Sequence, residues 1–129
     1  MTTRPSSLLG GLLALTITLF ACSDNRSLES VTISPTVASS KAQLTATGLY
    51  NKPPTTVDIT STTTWCVGSS SGLCAGNIAI EANVNAGLAQ CLSGFTGTVT
   101  ILAGQAGPSP RPDLGFQLKP FGVAQLNCP

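Results

Sequence analysis

The 129-residue sequence contains no histidine. That absence excludes Ser–His–Asp hydrolysis, Cys–His proteolysis and His-ligated zinc or haem, and it removes the side chain most used for proton transfer near neutral pH. Charge is scarce too, at 9% of residues. Beyond the N-terminal apolar segment, Arg26, Lys41, Lys52, Arg111 and Lys119 cancel Asp24, Glu29, Asp58, Glu81 and Asp113, and the ten are scattered. No basic patch exists to release counterions from a nucleic acid, and no polybasic segment to hold an anionic lipid surface. Long apolar runs are missing apart from the N-terminus, and no stretch beyond it has helical periodicity.

What is present begins with a leader. A single cation, Arg4, precedes an apolar run from Leu8 to Phe20. A short positive segment followed by roughly 7–15 apolar residues has the pattern of a secretory signal peptide. The run is shorter than the ~20 residues that span a bilayer, so a cleaved helix over residues 1–21 is expected rather than a membrane anchor.

The end of that run, Leu19-Phe20-Ala21-Cys22, resembles a bacterial lipobox. Phe20 departs from it, standing where the family usually has a smaller residue. The resemblance implies that Cys22 receives a diacylglyceryl group and, after cleavage, an acylated amino terminus. Two or more acyl chains anchor a protein stably where one does not. Ser23, in the place where Asp is associated with inner-membrane retention, implies the outer membrane as destination; secretion is the alternative.

From residue 23 on, the chain reads as a polar tether (22–28) and then short alternating strands. Val31-Thr32-Ile33-Ser34 ends at Pro35, and Leu44, Ala46 and Gly48 share one face of the next run. Asn51-Lys52-Pro53-Pro54 marks a turn. Thr63, Trp65 and Val67 share a face, with Trp65, the only tryptophan, expected at the centre of the core. Asn85-Ala86-Gly87 suggests a hairpin turn, and Gly97 to Ile101 alternates with Val99 and Ile101 inward. Short strands separated by Gly, Pro, Asn and Ser predict an all-β antiparallel sandwich, with about seven strands between Leu28 and Gly104. Val31, Ile33, Leu44, Val99 and Ile101 join Trp65 as expected core. Gly107 to Pro112 is Pro-rich, which predicts a stiff linker before a tail packed back on the domain, so that 105–129 lies outside the sandwich.

In order, Val31-Thr32-Ile33-Ser34-Pro35, Leu44 to Tyr50, Asp58-Ile59-Thr60 with Thr64-Trp65, Ala86-Gly87-Leu88 and Gly97 to Ile101 resemble the strand motifs of the group 2 bacterial Ig-like domain, over residues 29–104. The resemblance implies an Ig-like sandwich. The cysteines and the longer Cys66–Asn77 segment depart from the family pattern.

With Cys22 set aside, Cys66, Cys74, Cys91 and Cys128 form an even set, the disulfide expectation for an exported chain. Cys66–Cys74 with Cys91–Cys128 is favoured, because the first pair brackets a Gly/Ser loop and the second ties down the tail; Cys66–Cys91 with Cys74–Cys128 is the other candidate. On a strand, Cys66 points away from the face Trp65 occupies, which argues against a core-crossing bridge at Cys66. The cysteine spacing matches neither a zinc site nor a C-x-x-C redox pair.

Gly68-Ser69-Ser70-Ser71-Gly72 spells G-x-S-x-G, but a nucleophile elbow needs a following helix and a histidine, so a loop is expected. Asp58 and Glu81 read as solvent-facing strand positions, and no metal or other cofactor is expected. Tyr50, Phe95, Phe116 and Phe121 could form a sugar platform, with packing the more ordinary use. The resulting expectation is a non-enzymatic envelope lipoprotein held to the membrane through Cys22. Its single Ig-like domain would serve as a structural or protein-interaction module, with glycan binding or adhesion as the alternative.

Overall fold

The computed structural model describes residues 25–75, 81–107 and 115–129. The leader with its expected helix, Cys22, and most of the Pro-rich linker lie outside the described residues. The alternating segments form β1 (Leu28–Ser34), β2 (Val37–Ser39), β3 (Lys41–Gln43), β4 (Thr45–Tyr50), β5 (Thr56–Asp58), β6 (Thr64–Val67), β7 (Leu73–Cys74), β8 (Ala82–Asn85), β9 (Leu88–Cys91), β10 (Gly97–Ala106) and β11 (Phe116–Cys128).

These strands make two layers. In one, β1-β4-β5 and β3-β9-β8 are joined because β3 and β4 continue into each other through Leu44. In the other the order is β2-β11-β10-β6, with β7 also on β11. β2 runs parallel to β11; the other named pairs are antiparallel. Taking β1 and β2 as one first strand that switches layers, and β3 and β4 as one second strand, the pairing follows the ABED and GFC orders of an immunoglobulin-like sandwich. The expected all-β sandwich is therefore present.

The main core is built from the inward alternation of both layers. Val31, Ile33, Leu44, Ala46, Val99, Ile101, Ala124 and Leu126 are buried there. Trp65 sits at the border of this core, partly buried, and not at its centre. It is on β6, an outer strand of its sheet, and its indole N–H is directed to the Thr60 carbonyl at 2.8 Å. The hairpin expected at Asn85-Ala86-Gly87 joins β8 to β9. Ala86 and Gly87 have φ of 46° and 83°, the two positive angles of a type I′ turn, whose twist suits an antiparallel pair.

The C-terminal segment corrects the sequence expectation. Residues 116–128 are no appended tail: β11 is an interior strand, paired with β10 from Gly97↔Cys128 to Ala106↔Leu118. The sandwich therefore extends well past Gly104. The alternation was hard to see because of a bulge. Between Gly104 and Ala106 the register shifts from Phe121 to Leu118, placing an extra residue at Lys119-Pro120. A strand proline is tolerated at such a site, and an extra residue reverses which face later side chains occupy. Phe116 and Leu118 thus share a face with Phe121 and Val123, while Ala124, Leu126 and Cys128 face the main core.

That opposite face is also covered. Cys74, Leu102 and Leu118 are fully buried in a second cluster with Cys66, Phe116, Phe121 and Val123. The hairpin from β6 to β7 folds over it, with Cys74 bridged to Gly68 and paired with Phe116. The pairings β6–β10–β11–β7 and Cys74–Gly68 thereby close a ring around the cluster.

The disulfides are Cys66–Cys74 and Cys91–Cys128, the favoured pairing. Cys66 lies in the second cluster and Trp65 beside the main core, as strand parity requires. Cys91–Cys128 joins β9 to β11 and so crosses between the layers.

Removing the Cys91–Cys128 link, which closes 37 residues, should cost about 4 kcal/mol by loop-closure entropy. Removing Cys66–Cys74, which closes 8, should cost about 2.5 kcal/mol. Urea denaturation of the paired Cys→Ala variants checks the order. Gly122 offers a second check: a Cβ there would lie 2.7 Å from the Val31 carbonyl oxygen of the facing layer. Gly122→Ala should lower stability by about 1–3 kcal/mol, and exposed Lys119→Ala by no more than about 0.5.

Candidate functional site

The residues Asp58-Ile59-Thr60 and Trp65 meet in one hydrogen-bond network. Asp58 ends β5, and its Oδ1 accepts the Thr60 N–H at 2.9 Å and the Thr60 hydroxyl at 2.6 Å. This is an Asx turn, in which a short side chain captures the backbone two residues on. The turn presents Thr60 to β4, where its Oγ1 accepts the Ala46 N–H at 2.9 Å. The Thr60 carbonyl accepts the indole N–H. Ile59 drops into the main core between them, its N–H bonded to the Ala46 carbonyl. The network fixes the connection from β5 to β6, which forms one wall of a cleft.

The cleft has a volume of about 550 Å³ and opens at one end of the sandwich, where β1 starts, β4 ends, β6 starts and β10 ends. Loops and strand ends on a rigid scaffold are the usual places for binding groups, and the volume falls in the range of ligand pockets. Leu28 and Ile59 supply apolar lining; Arg26, Tyr50, Thr64 and Gln105 supply polar groups. No Asp or Glu is among the lining residues.

Arg26 dominates this end. Its guanidinium lies 4.3 Å from the centre of the Tyr50 ring, a cation–π distance, and it donates to the Pro54 carbonyl. Its Nε–H is shielded and has no partner. Next to it, the Ser27 N–H donates to Asn51 Oδ1 at 2.8 Å and the Asn51 N–H to the Ser27 carbonyl at 3.1 Å. Arg26 and Ser27 therefore belong to the domain, which shortens the expected 22–28 tether. Nothing in the local sequence marks Arg26; its partners follow from the β1–β4 register, which sets Leu28 opposite Tyr50.

Other expected sites resolve as follows. Ser69, Ser70 and Ser71 are exposed at the tip of the β6–β7 hairpin, with Ser69 and Ser71 hydroxyls 2.7 Å apart; the G-x-S-x-G string is a turn. Among the described residues no three His, Cys, Asp or Glu side chains converge. The four aromatics do not share a platform. Tyr50 lines the cleft, Phe95 packs on the main core, and Phe116 and Phe121 belong to the second cluster. Cys22 lies outside the described residues. Comparison of the chain with protein-family models and with curated proteins finds no match.

The Asx turn predicts a pH effect. The Thr60 hydroxyl, and after it the Thr60 N–H, hold the Asp58 carboxyl below its ordinary value of 3.8. A lowered carboxyl stabilises the fold at neutral pH, and that contribution is lost as pH falls through the folded-state value. In Thr60→Val the Asp58 carboxyl should titrate closer to 3.8 by NMR. The same variant should lose about 1–3 kcal/mol, because the Ala46 N–H is left without its acceptor.

Proposed function

We propose that this chain is a lipid-anchored protein of the bacterial outer membrane, presenting one group 2 Ig-like domain as a structural or interaction module. The lipobox at Leu19–Cys22 supports the anchor, and the ordered strand motifs support the family. The observation that carries the combined reading is the short distance between the two. Arg26 and Ser27 are pinned to Tyr50, Asn51 and Pro54, only four residues after Cys22.

Four extended residues reach roughly 14 Å at most. A domain fixed that close to its acyl chains is held near the headgroups with the cleft end toward the membrane. The opposite end, with the start of β10 and the Cys91–Cys128 bridge between the ends of β9 and β11, faces outward and is the surface offered to a partner. No catalytic role is assigned to any residue.

Radiolabelled palmitate supplied to cells expressing the chain tests the anchor. The wild type should be labelled and Cys22→Ala should not. Equal labelling of the two, or none in either, overturns the proposal.

A further inference from the structure

The cleft carries a cation that no carboxylate among the described residues balances. Arg26 spends one of its several N–H donors on the Pro54 carbonyl, and no carboxylate among the described residues pairs with it. Glu29, three residues further along the chain, is exposed on β1 and does not line the cleft. Contact with the Tyr50 ring and the bond to the Pro54 carbonyl restrain the guanidinium at the cleft wall, so it is held in place before any ligand arrives. Donors already held in place lose less freedom on binding. An unpartnered, shielded N–H on a charged group calls for an acceptor, and Nε–H of Arg26 is the one such side-chain atom among the described residues.

Around Arg26 the cleft offers donors that are not committed elsewhere. The hydroxyls of Ser27, Tyr50 and Thr64 and the Gln105 amide line it and make no side-chain bond within the described fold. A guanidinium edge with several neutral donors and no acid suits an anion with more oxygens than a carboxylate has. Arg meets such groups in bidentate, charge-assisted fashion.

We propose that the cleft is a phosphate site, with Arg26 as its charged contact and Thr64, Gln105 and Tyr50 as its neutral donors. In the anchored protein the phosphate is that of an anionic lipid headgroup. The site stands on the cleft alone; the headgroup as its source rests on the proposed anchoring at Cys22. Binding there would hold the domain against the bilayer in one orientation, a second contact beside the acyl chains.

The test uses the full chain purified in a neutral detergent, with the Arg26 Nε–H and Gln105 side-chain resonances followed by NMR. Inorganic phosphate and a short-chain phosphatidylglycerol are titrated separately, with short-chain phosphatidylcholine, whose phosphate is balanced by its own choline cation, as the reference of zero net charge. Saturable shifts of both resonances are expected, with affinity at least tenfold weaker in Arg26→Gln and partly restored in Arg26→Lys.

Thr64→Val leaves the Arg26–Tyr50 stack in place and should weaken binding several-fold while the rest of the spectrum is unchanged. No saturable shift with either anion, or wild-type affinity in both Arg26→Gln and Thr64→Val, overturns the site. Saturation by inorganic phosphate without tighter binding of phosphatidylglycerol than of phosphatidylcholine overturns the headgroup assignment. None of these outcomes depends on whether Cys22 is acylated.

Discussion

The constraint on which the fold depends is the long antiparallel pairing of β10 with β11, because it is covered on both faces. Most antiparallel strands bury one side and show water the other. Here Val99, Ile101 and Ala103 face the main core while Leu102 faces the second cluster, so Ile101-Leu102-Ala103 is a continuous buried run. Two-sided burial leaves little room where other chain segments cross. A Cβ on Gly104 would lie 2.3 Å from the Pro120 carbonyl oxygen, and one on Gly122 would press on the Val31 backbone.

Each disulfide then fastens something to that pair. Cys91–Cys128 brings the far layer onto β11, and Cys66–Cys74 closes the hairpin that roofs the second cluster. Polar groups contribute by satisfying backbone at junctions. No charged or polar residue is buried among the described ones, and the Asp58–Thr60–Trp65 network works at the core's border. With 9% charge, stability rests on apolar burial and covalent closure, and surface ion pairs would add little.

The sandwich was legible in the sequence because most strands obey simple alternation. Leu44, Ala46 and Gly48 are all buried as their spacing predicts, and Asn85-Ala86-Gly87 turns where expected. β11 was illegible for a physical reason. Its bulge at Lys119-Pro120 breaks the period of two, and small residues at 122 and 124 give little hydrophobic signal. The Trp65 position was misjudged because its polar N–H draws it to the edge where Thr60 offers a carbonyl. The cleft could not be read at all. Arg26 meets Tyr50 only through strand pairing, and alternation says nothing of which side chains meet at the end of two strands.

One consequence of the topology concerns the order in which the chain emerges during synthesis. β11 is the last strand of the domain in sequence and an interior strand of its sheet. Until it arrives, β2 has no neighbour, β10 has an open edge, Cys91 lacks its partner and the second cluster lacks Leu118. Segments 28–106 can collapse but cannot close, so the domain folds in one late event, after its final strand is free. Such dependence on contacts distant in sequence slows folding. It also leaves the nascent chain without the closure of its two layers for as long as its last strand remains unsynthesised.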